Sequence, residues 1–351
     1  MIEGVVKNNE QDYRAIMLDS SSSLKDFSLD RKKYFRKYIA NEAVEDEDNQ
    51  AIRIGKLVET LLWEPHLFDD KFYMSAVAEP PTGLMLAFVE ALYQFTREAT
   101  DENGELKRSF EDISKDAYEK SGFKLPFATI IKKFEGSDAE IYYNEILEVR
   151  SRNLSVVTAQ DVTNAENIVT TLRNSFVTKD IVNMVDSDRY SILIQYQMEN
   201  FKIDGHPLKG MMDYTIVDHR ERTIQPFDLK VTWNVENFYY EYYLKRRAYI
   251  QAYVYFKGTQ SITEDVESEY YGYTVLPPKF IVSDSINYYQ PLIYTLTEED
   301  LKEAYEGFEY NGWQYKGVKD IIIDLDWAME NNLWNISREN YLNNGIINIK
   351  S

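Results

Sequence analysis

From Tyr190 to Trp233 the chain runs through three consecutive apolar–polar alternations, separated by tight-turn sequences. They read "YSILIQYQMENFKI", "PLKGMMDYTIVD" and "TIQPFDLKVTW". Asp204–Gly205 between the first two is a hairpin signal, and "HRER" supplies the second turn. A period of two with connections this short predicts an antiparallel meander. Yet Asp213, Asp228 and Lys230 stand inside its strands. Carboxylates are poor strand formers and costly in a core unless something pairs with them. These positions therefore face water, or they face one another around a cation.

Alternate side chains of a strand share a face, so Asp228 and Lys230 present an acid and an amine side by side. Asp213 lies on the preceding strand, fifteen residues earlier, with one tight turn between. Antiparallel pairing can bring it near Asp228, although the register stays open at this level. Two carboxylates at close range repel unless one is protonated or a cation neutralises both. Magnesium, or manganese in its place, does this with one or two carboxylates and substrate oxygens. A neighbouring lysine could then orient the attacking water or stabilise charge at phosphorus. The alternative is an exposed cross-strand salt bridge, worth little. Three features favour the first arrangement. Phe227, Leu229 and Val231 make the third strand read as buried, and Gly210 allows close backbone approach ahead of Asp213. The helix that follows carries Arg247, Gln251 and Tyr255 four apart, a polar face on an otherwise aromatic helix.

The rest of the chain arranges itself around this meander. "SSSSLKDFSLDRKKYFRKYIA" opens on helix-capping serines, an acidic loop "EAVEDEDNQ" follows, and "AIRIGKLVETLLWEP" carries an apolar stripe that stops at Pro65. Residues 80–185 read as a helical insert without a β pattern. After the aromatic helix "VENFYYEYYLKRRAYIQAYVYFKG", "SEYYGYTVLPP" and "QPLIYTLT" are strand candidates, and Thr297 with Asp300 forms a capping box. The expected fold class is α/β: helix, three-stranded antiparallel meander, helix and strand, with a large helical insert. The chain is read as a single domain. Residues 18–66 give its N-terminal helices, 80–185 the insert, 189–296 the sheet and helix bearing the acids, and 297–351 a C-terminal helical segment.

Charge and composition narrow the chemistry. Acids outnumber bases 59 to 39, a formal charge of −20, which is the wrong sign for holding phosphates over the whole surface. Any nucleic-acid contact must use local patches, of which there are two: Arg31 to Lys37, including Arg36, and Lys245, Arg246 and Arg247. With no cysteine there are no disulfides, thiolate zinc sites or cysteine-held iron–sulfur clusters. His66, His206 and His219 are scattered without ligand spacing, and no GxxxxGK[ST] nucleotide loop occurs. No apolar run has membrane-spanning length and the N-terminus lacks a signal-peptide pattern, so a cytoplasmic protein is expected, in the host cell if phage-encoded.

Taken together, "GMMD…FDLKVT…YIQAYVY" resembles the PD-(D/E)XK nuclease superfamily, in particular its lambda-type and RecE-type (exodeoxyribonuclease VIII-like) phage exonucleases. In that branch an acid ends one strand, D/E-x-K lies on the next, and a Q-x-x-x-Y helix follows. The segments "SSSSLKDFSLDRKKYFRKY" and "IRIGKLVETLLWEPHLFDDKF" are similar to its opening region. The chain differs in having no proline before the first acid, and in carrying Glu59 where RecE-type members usually have histidine.

The resemblance implies a restriction-endonuclease-like core and a role for each residue. Asp213, Asp228 and the Leu229 carbonyl would bind the metal, Glu59 would support it, Lys230 would position water and Gln251 would assist. Arg36, Arg246, Arg247 and Tyr255 would contact DNA. The expected function is a magnesium- or manganese-dependent DNA exonuclease in phage recombination or DNA processing, acting on linear duplex or single-strand ends. A single-strand annealing recombinase and a homo-oligomer are the partners the resemblance suggests. The competing expectation is a catalytically silent protein that keeps the nuclease fold as an acidic binding module or virion component.

Overall fold

The computed structural model describes residues 10–42, 50–150, 152 and 154–347. The acidic stretch expected as a loop lies almost wholly outside the described residues, at positions 43–49. The chain is a mixed α/β protein of two compact units, Asn49–Val169 and the remainder, Met1–Asp48 with Thr170–Ser351.

The smaller unit is mainly helical. Its first helix, Gln50–Trp63, buries Ile54, Leu57, Val58 and Leu62 along the stripe expected from their spacing and ends before Pro65. Helices Gly83–Ala99, Phe110–Ser121 and Asp138–Arg150 close a core around Phe88, Leu92, Ile113, Tyr142 and Ile146. Burying side chains of this size stabilises by roughly 1.5–3 kcal/mol each. The stretch is not purely helical. Strand β1 (Phe72–Met74) pairs in parallel with β2 (Ser155–Val157). Three-residue strands are too short to show alternation, which is why β2 escapes a reading by period.

The larger unit holds the sheet. Strands β3 (Tyr190–Ile203), β4 (His206–Asp218) and β5 (Thr223–Thr232) form the antiparallel meander. Asp204 (φ +51°) and Gly205 (φ +87°) make the two-residue hairpin turn, whose two positive φ values suit strand twist. Beyond β5 the sequence expectation needs correcting. "SEYYGYTVLPP" contributes only β6 (Thr274–Val275), and the main parallel neighbour of β5 is β7 (Lys279–Asp284), after the two prolines. Strand β8 (Leu292–Thr295) closes the order β3-β4-β5-β7-β8. A strand buried along nearly its whole length, as β7 is, carries no alternation to detect.

The connection from β5 to β7 is the crossover helix Ala248–Glu264. It was expected to run unbroken from Val235, but it is preceded by a 3-10 turn, Val235–Asn237, and a π-helical stretch, Tyr239–Lys245. The helix packs on Met198, Phe201, Phe280 and Val282 in one apolar cluster. Gly258 lets it approach: a Cβ there would lie 2.7 Å from Met198 Sδ. Helix Ser21–Leu29 opens with Ser20 and Ser23 capping one another reciprocally, and ends at Asp30, whose carboxylate caps the next turn at Lys32 and Lys33. At the C-terminal side Glu298–Glu306 starts with the expected Thr297–Asp300 capping box, and Val318–Asn331 buries Ile321, Ile322 and Leu325. Among the described residues no helix is long and apolar enough to cross a membrane.

One polar node ties three distant segments of this unit. His206 Nδ1 lies 2.6 Å from Asp326 Oδ1, and its Nε2 lies 3.0 Å from Asp19 Oδ2. Asp19 Oδ1 also accepts hydrogen bonds from Ser23 Oγ and Tyr34 Oη. Burial opposes the charge on His206, but hydrogen bonds to Asp19 and Asp326 outweigh it and hold the pKa above its ordinary value. A raised folded pKa gives stability that is complete below the unfolded value, about 6.5, and lost as pH rises through the folded one. His206→Gln is therefore expected to cost roughly 2 kcal/mol at pH 6 and distinctly less at pH 9. Denaturant melts at the two pH values check this; an equal loss at both would mean the ring is neutral in the folded protein.

Candidate active site

The two acids singled out in the meander meet where the sheet is interrupted. The β4–β5 ladder stops at Tyr214↔Phe227, and the next positions along the two strands are Asp213 and Asp228. On the other side of β4 the pairing passes from Ile194↔Tyr214 to Tyr196↔Met212, skipping Asp213. Its would-be partner there, Gln195, has φ +50°, a strained backbone for a residue with a side chain. In the gap so opened, the Asp213 carboxylate accepts a hydrogen bond from the Leu229 N–H at 3.2 Å. Strand β5 meanwhile pairs with β7 from Phe227 to Thr232, holding Asp228 and Lys230 in place.

Asp228 is 1% exposed. Its Oδ1 accepts from Gln251 Nε2 at 2.6 Å. Lys230 Nζ lies 2.5 Å from the other oxygen, Oδ2, but outside hydrogen-bond alignment, so this buried oxygen is attracted by charge and accepts no hydrogen bond. The same Gln251 nitrogen donates to Tyr255 Oη at 2.9 Å. Tyr255 is itself 7% exposed, and burial, Asp213 and Asp228 all push its pKa well up, so it stays a neutral phenol. It was expected to touch DNA. Its position instead makes it a support for Gln251.

The sequence reading overlooked Lys25. This half-buried side chain on helix Ser21–Leu29 points its Nζ at Gln251 Oε1, 3.4 Å away. Burial and the nearby ammonium of Lys230 bring its pKa down to about 8, against the pull of Asp228, Asp26 and Asp213. The site thus holds two carboxylates and two ammonium groups bridged by one buried amide. A lysine flanked by capping serines and an apolar helix stripe reads as surface decoration. Only the packing of that helix against the crossover helix brings it to Gln251.

The remaining expected residues are placed as follows. Glu59 lies half-buried on helix Gln50–Trp63 of the smaller unit. Among the described residues no three acidic, histidine or cysteine side chains converge to hold a metal ion, and the acids brought together here are Asp213 and Asp228. The first basic patch is largely turned inward: Arg31 pairs with Asp324, and Lys33 and Lys37 with Asp26, leaving Lys32 and Arg36 exposed. In the second, Lys245 pairs with Glu241, Arg246 lies over the Tyr242 ring, and Arg247 donates to the Ser28 carbonyl at 2.7 Å.

The donor set suits a hard divalent cation. Carboxylate oxygens are magnesium and manganese ligands, and Asp228 Oδ2 is a buried, negatively charged oxygen with no hydrogen bond. Removing such an atom from water is costly unless a cation compensates, and Lys230 does so by charge without an aligned hydrogen bond to it.

No protein-family model matches the chain, and no curated protein matches it. Among solved structures it is similar to a candidate exonuclease from Eubacterium rectale, at 15% sequence identity and a TM-score of 0.41, over 86% of this chain and 81% of that one.

Proposed function

We propose that the chain is a metal-dependent deoxyribonuclease that hydrolyses phosphodiester bonds at the Asp213–Asp228–Lys230 centre. The observation that carries this reading is the buried Asp228 carboxylate, with one oxygen held by Gln251 and the other left to cations alone. Asp213, Asp228 and the Leu229 carbonyl are the groups that would hold magnesium or manganese. When bound, the cation supplies Lewis-acid stabilisation of the phosphoryl oxygens and a more acidic water.

The chain's own residues supply the rest. Lys230 stands half-buried beside Asp228 on the same strand face, where its ammonium can orient water and offset charge developing on the phosphate. Gln251 fixes the rotamer of Asp228 through Oδ1, and Tyr255 and Lys25 fix Gln251 in turn. Catalytic groups locked in this way are preorganised, which keeps the cost of ordering them out of the reaction step.

In its finer form the proposal is an exonuclease of phage recombination or DNA processing, acting at ends of linear DNA, with an annealing protein as partner. Incubation with linear and covalently closed duplex DNA, with magnesium and with chelator, tests it. The linear form is expected to be degraded with magnesium only, and the closed circle to survive. Cleavage of the circle would make the enzyme an endonuclease. No cleavage of either form with magnesium or manganese would leave the silent binding module as the better reading.

A further inference from the structure

A cleft of about 520 Å³ opens in the larger unit between the end of helix Ser21–Leu29, the start of the crossover helix and the C-terminal segment. Its lining includes Arg31, Lys32, Arg247 and Lys316, with Phe27 and Trp334 as apolar walls. Four bases around one cleft run against the sign of a chain carrying −20. The two acids of the lining are already occupied. Asp30 caps the backbone N–H groups of Lys32 and Lys33, while Asp324 takes the Arg31 guanidinium and the Arg338 N–H.

Of the bases, Lys316 pairs with Glu339 at 3.1 Å, and the other three are less well matched. Arg31 stacks over Phe27 at 4.4 Å and pairs through Nη2, but its buried Nη1 has no acceptor. Arg247 donates Nη1 to a backbone carbonyl and has no carboxylate partner among the described residues, and its own backbone is left-handed at φ +55°. A residue with a side chain held there is strained, and such strain persists where surrounding contacts demand that position. Arg247 caps the crossover helix four residues before Gln251, about 6 Å along the axis, and Ser28 of the lining follows by three residues Lys25, which reaches Gln251. The cleft therefore adjoins the centre that contains Asp228.

We propose that this cleft is a second phosphate site, which holds a backbone phosphate of the nucleic-acid strand next to the one cleaved. The assignment to a strand rests on the nuclease reading; the affinity for phosphate does not. Guanidinium N–H groups match phosphate oxygens, and the unmatched Arg31 Nη1 and the partly exposed Arg247 guanidinium would meet them. Lys32, exposed in the lining and without an ionic partner among the described residues, adds charge without a geometric demand.

The test uses the full chain in chelator, so that neither metal nor cleavage enters. Binding of inorganic phosphate and of a short single-stranded oligonucleotide is measured by calorimetry for the wild type and for the Arg247→Gln, Lys32→Gln double variant. Both side chains are partly exposed, so the double variant keeps the Arg31–Asp324 pair; Arg31→Gln is the harsher second variant. The expected result is competition between phosphate and oligonucleotide in the wild type, with both bound about tenfold or more weakly by the variants. Equal binding by wild type and variants would overturn the site, as would no phosphate binding by the wild type. Phosphate binding lost in the variants without competition from the oligonucleotide would overturn its assignment to a strand. Absence of cleavage with magnesium, by contrast, would strike the nuclease reading and leave the measured phosphate affinity standing.

Discussion

Lys230→Ala is expected to lower the rate of phosphodiester cleavage by about 10²–10³-fold while the protein stays folded and still binds DNA. The size follows from what the residue does. Its ammonium is the charge 2.5 Å from Asp228 Oδ2 and sits on the same strand face, in a site where one preorganised charge is worth several times its value in water. Removing it leaves Asp228 with the Gln251 hydrogen bond and the more distant charge of Lys25, which limits the loss of stability. DNA affinity should be nearly unchanged, because Lys230 is one base among several and is only partly exposed. Lys230→Arg should also be slow, since a planar guanidinium cannot place its charge where a compact ammonium did. Turnover on linear duplex with magnesium measures the effect. Wild-type rates in Lys230→Ala would remove the residue from the chemistry.

Much of this arrangement was legible in the sequence, and the parts that were not share a cause. Strands β3, β4 and β5 follow the alternating runs almost residue for residue, because a meander with one face on a helix leaves a clear period of two. The pairing of Asp228 with Lys230 followed from the same period, and the short turn allowed Asp213 to come near them, while the register that brings it there came only with the structure. What escaped depended on packing between segments far apart in the chain. Strand β7 is buried along nearly its whole length and so lacks a pattern. The break at Arg247, where a π-helical stretch gives way to a left-handed residue, looks in sequence like one continuous aromatic helix. The Arg31–Lys37 run looks like a DNA-binding patch until Asp26 and Asp324 are seen to pair with its members, the latter from 293 residues away. Lys25 became visible only through its contact with Gln251, 226 residues on.

The second large effect concerns Asp228. In sequence, two adjacent carboxylates suggest stored repulsion that a neutral substitution would relieve. The structure changes the sign of that expectation, because Lys230 and Lys25 already offset the pair. Asp228→Asn leaves these ammonium groups without their buried counter-charge, and should destabilise the metal-free protein by roughly 3 kcal/mol. Its more telling consequence is the loss of a binding site. A cation that binds only the folded state stabilises it by mass action, by about 2.7 kcal/mol at a hundredfold excess over its dissociation constant. Asp213→Asn should weaken that response, and Lys230→Ala should keep it, since an ammonium is not a ligand. The most direct measurement is therefore the thermal melt of wild type and Asp228→Asn, in chelator and with magnesium or manganese raised to saturation. A melting temperature that climbs with metal in the wild type and stays flat in Asp228→Asn is the predicted result; a wild type indifferent to both metals would contradict the assignment of this carboxylate pair as a metal centre.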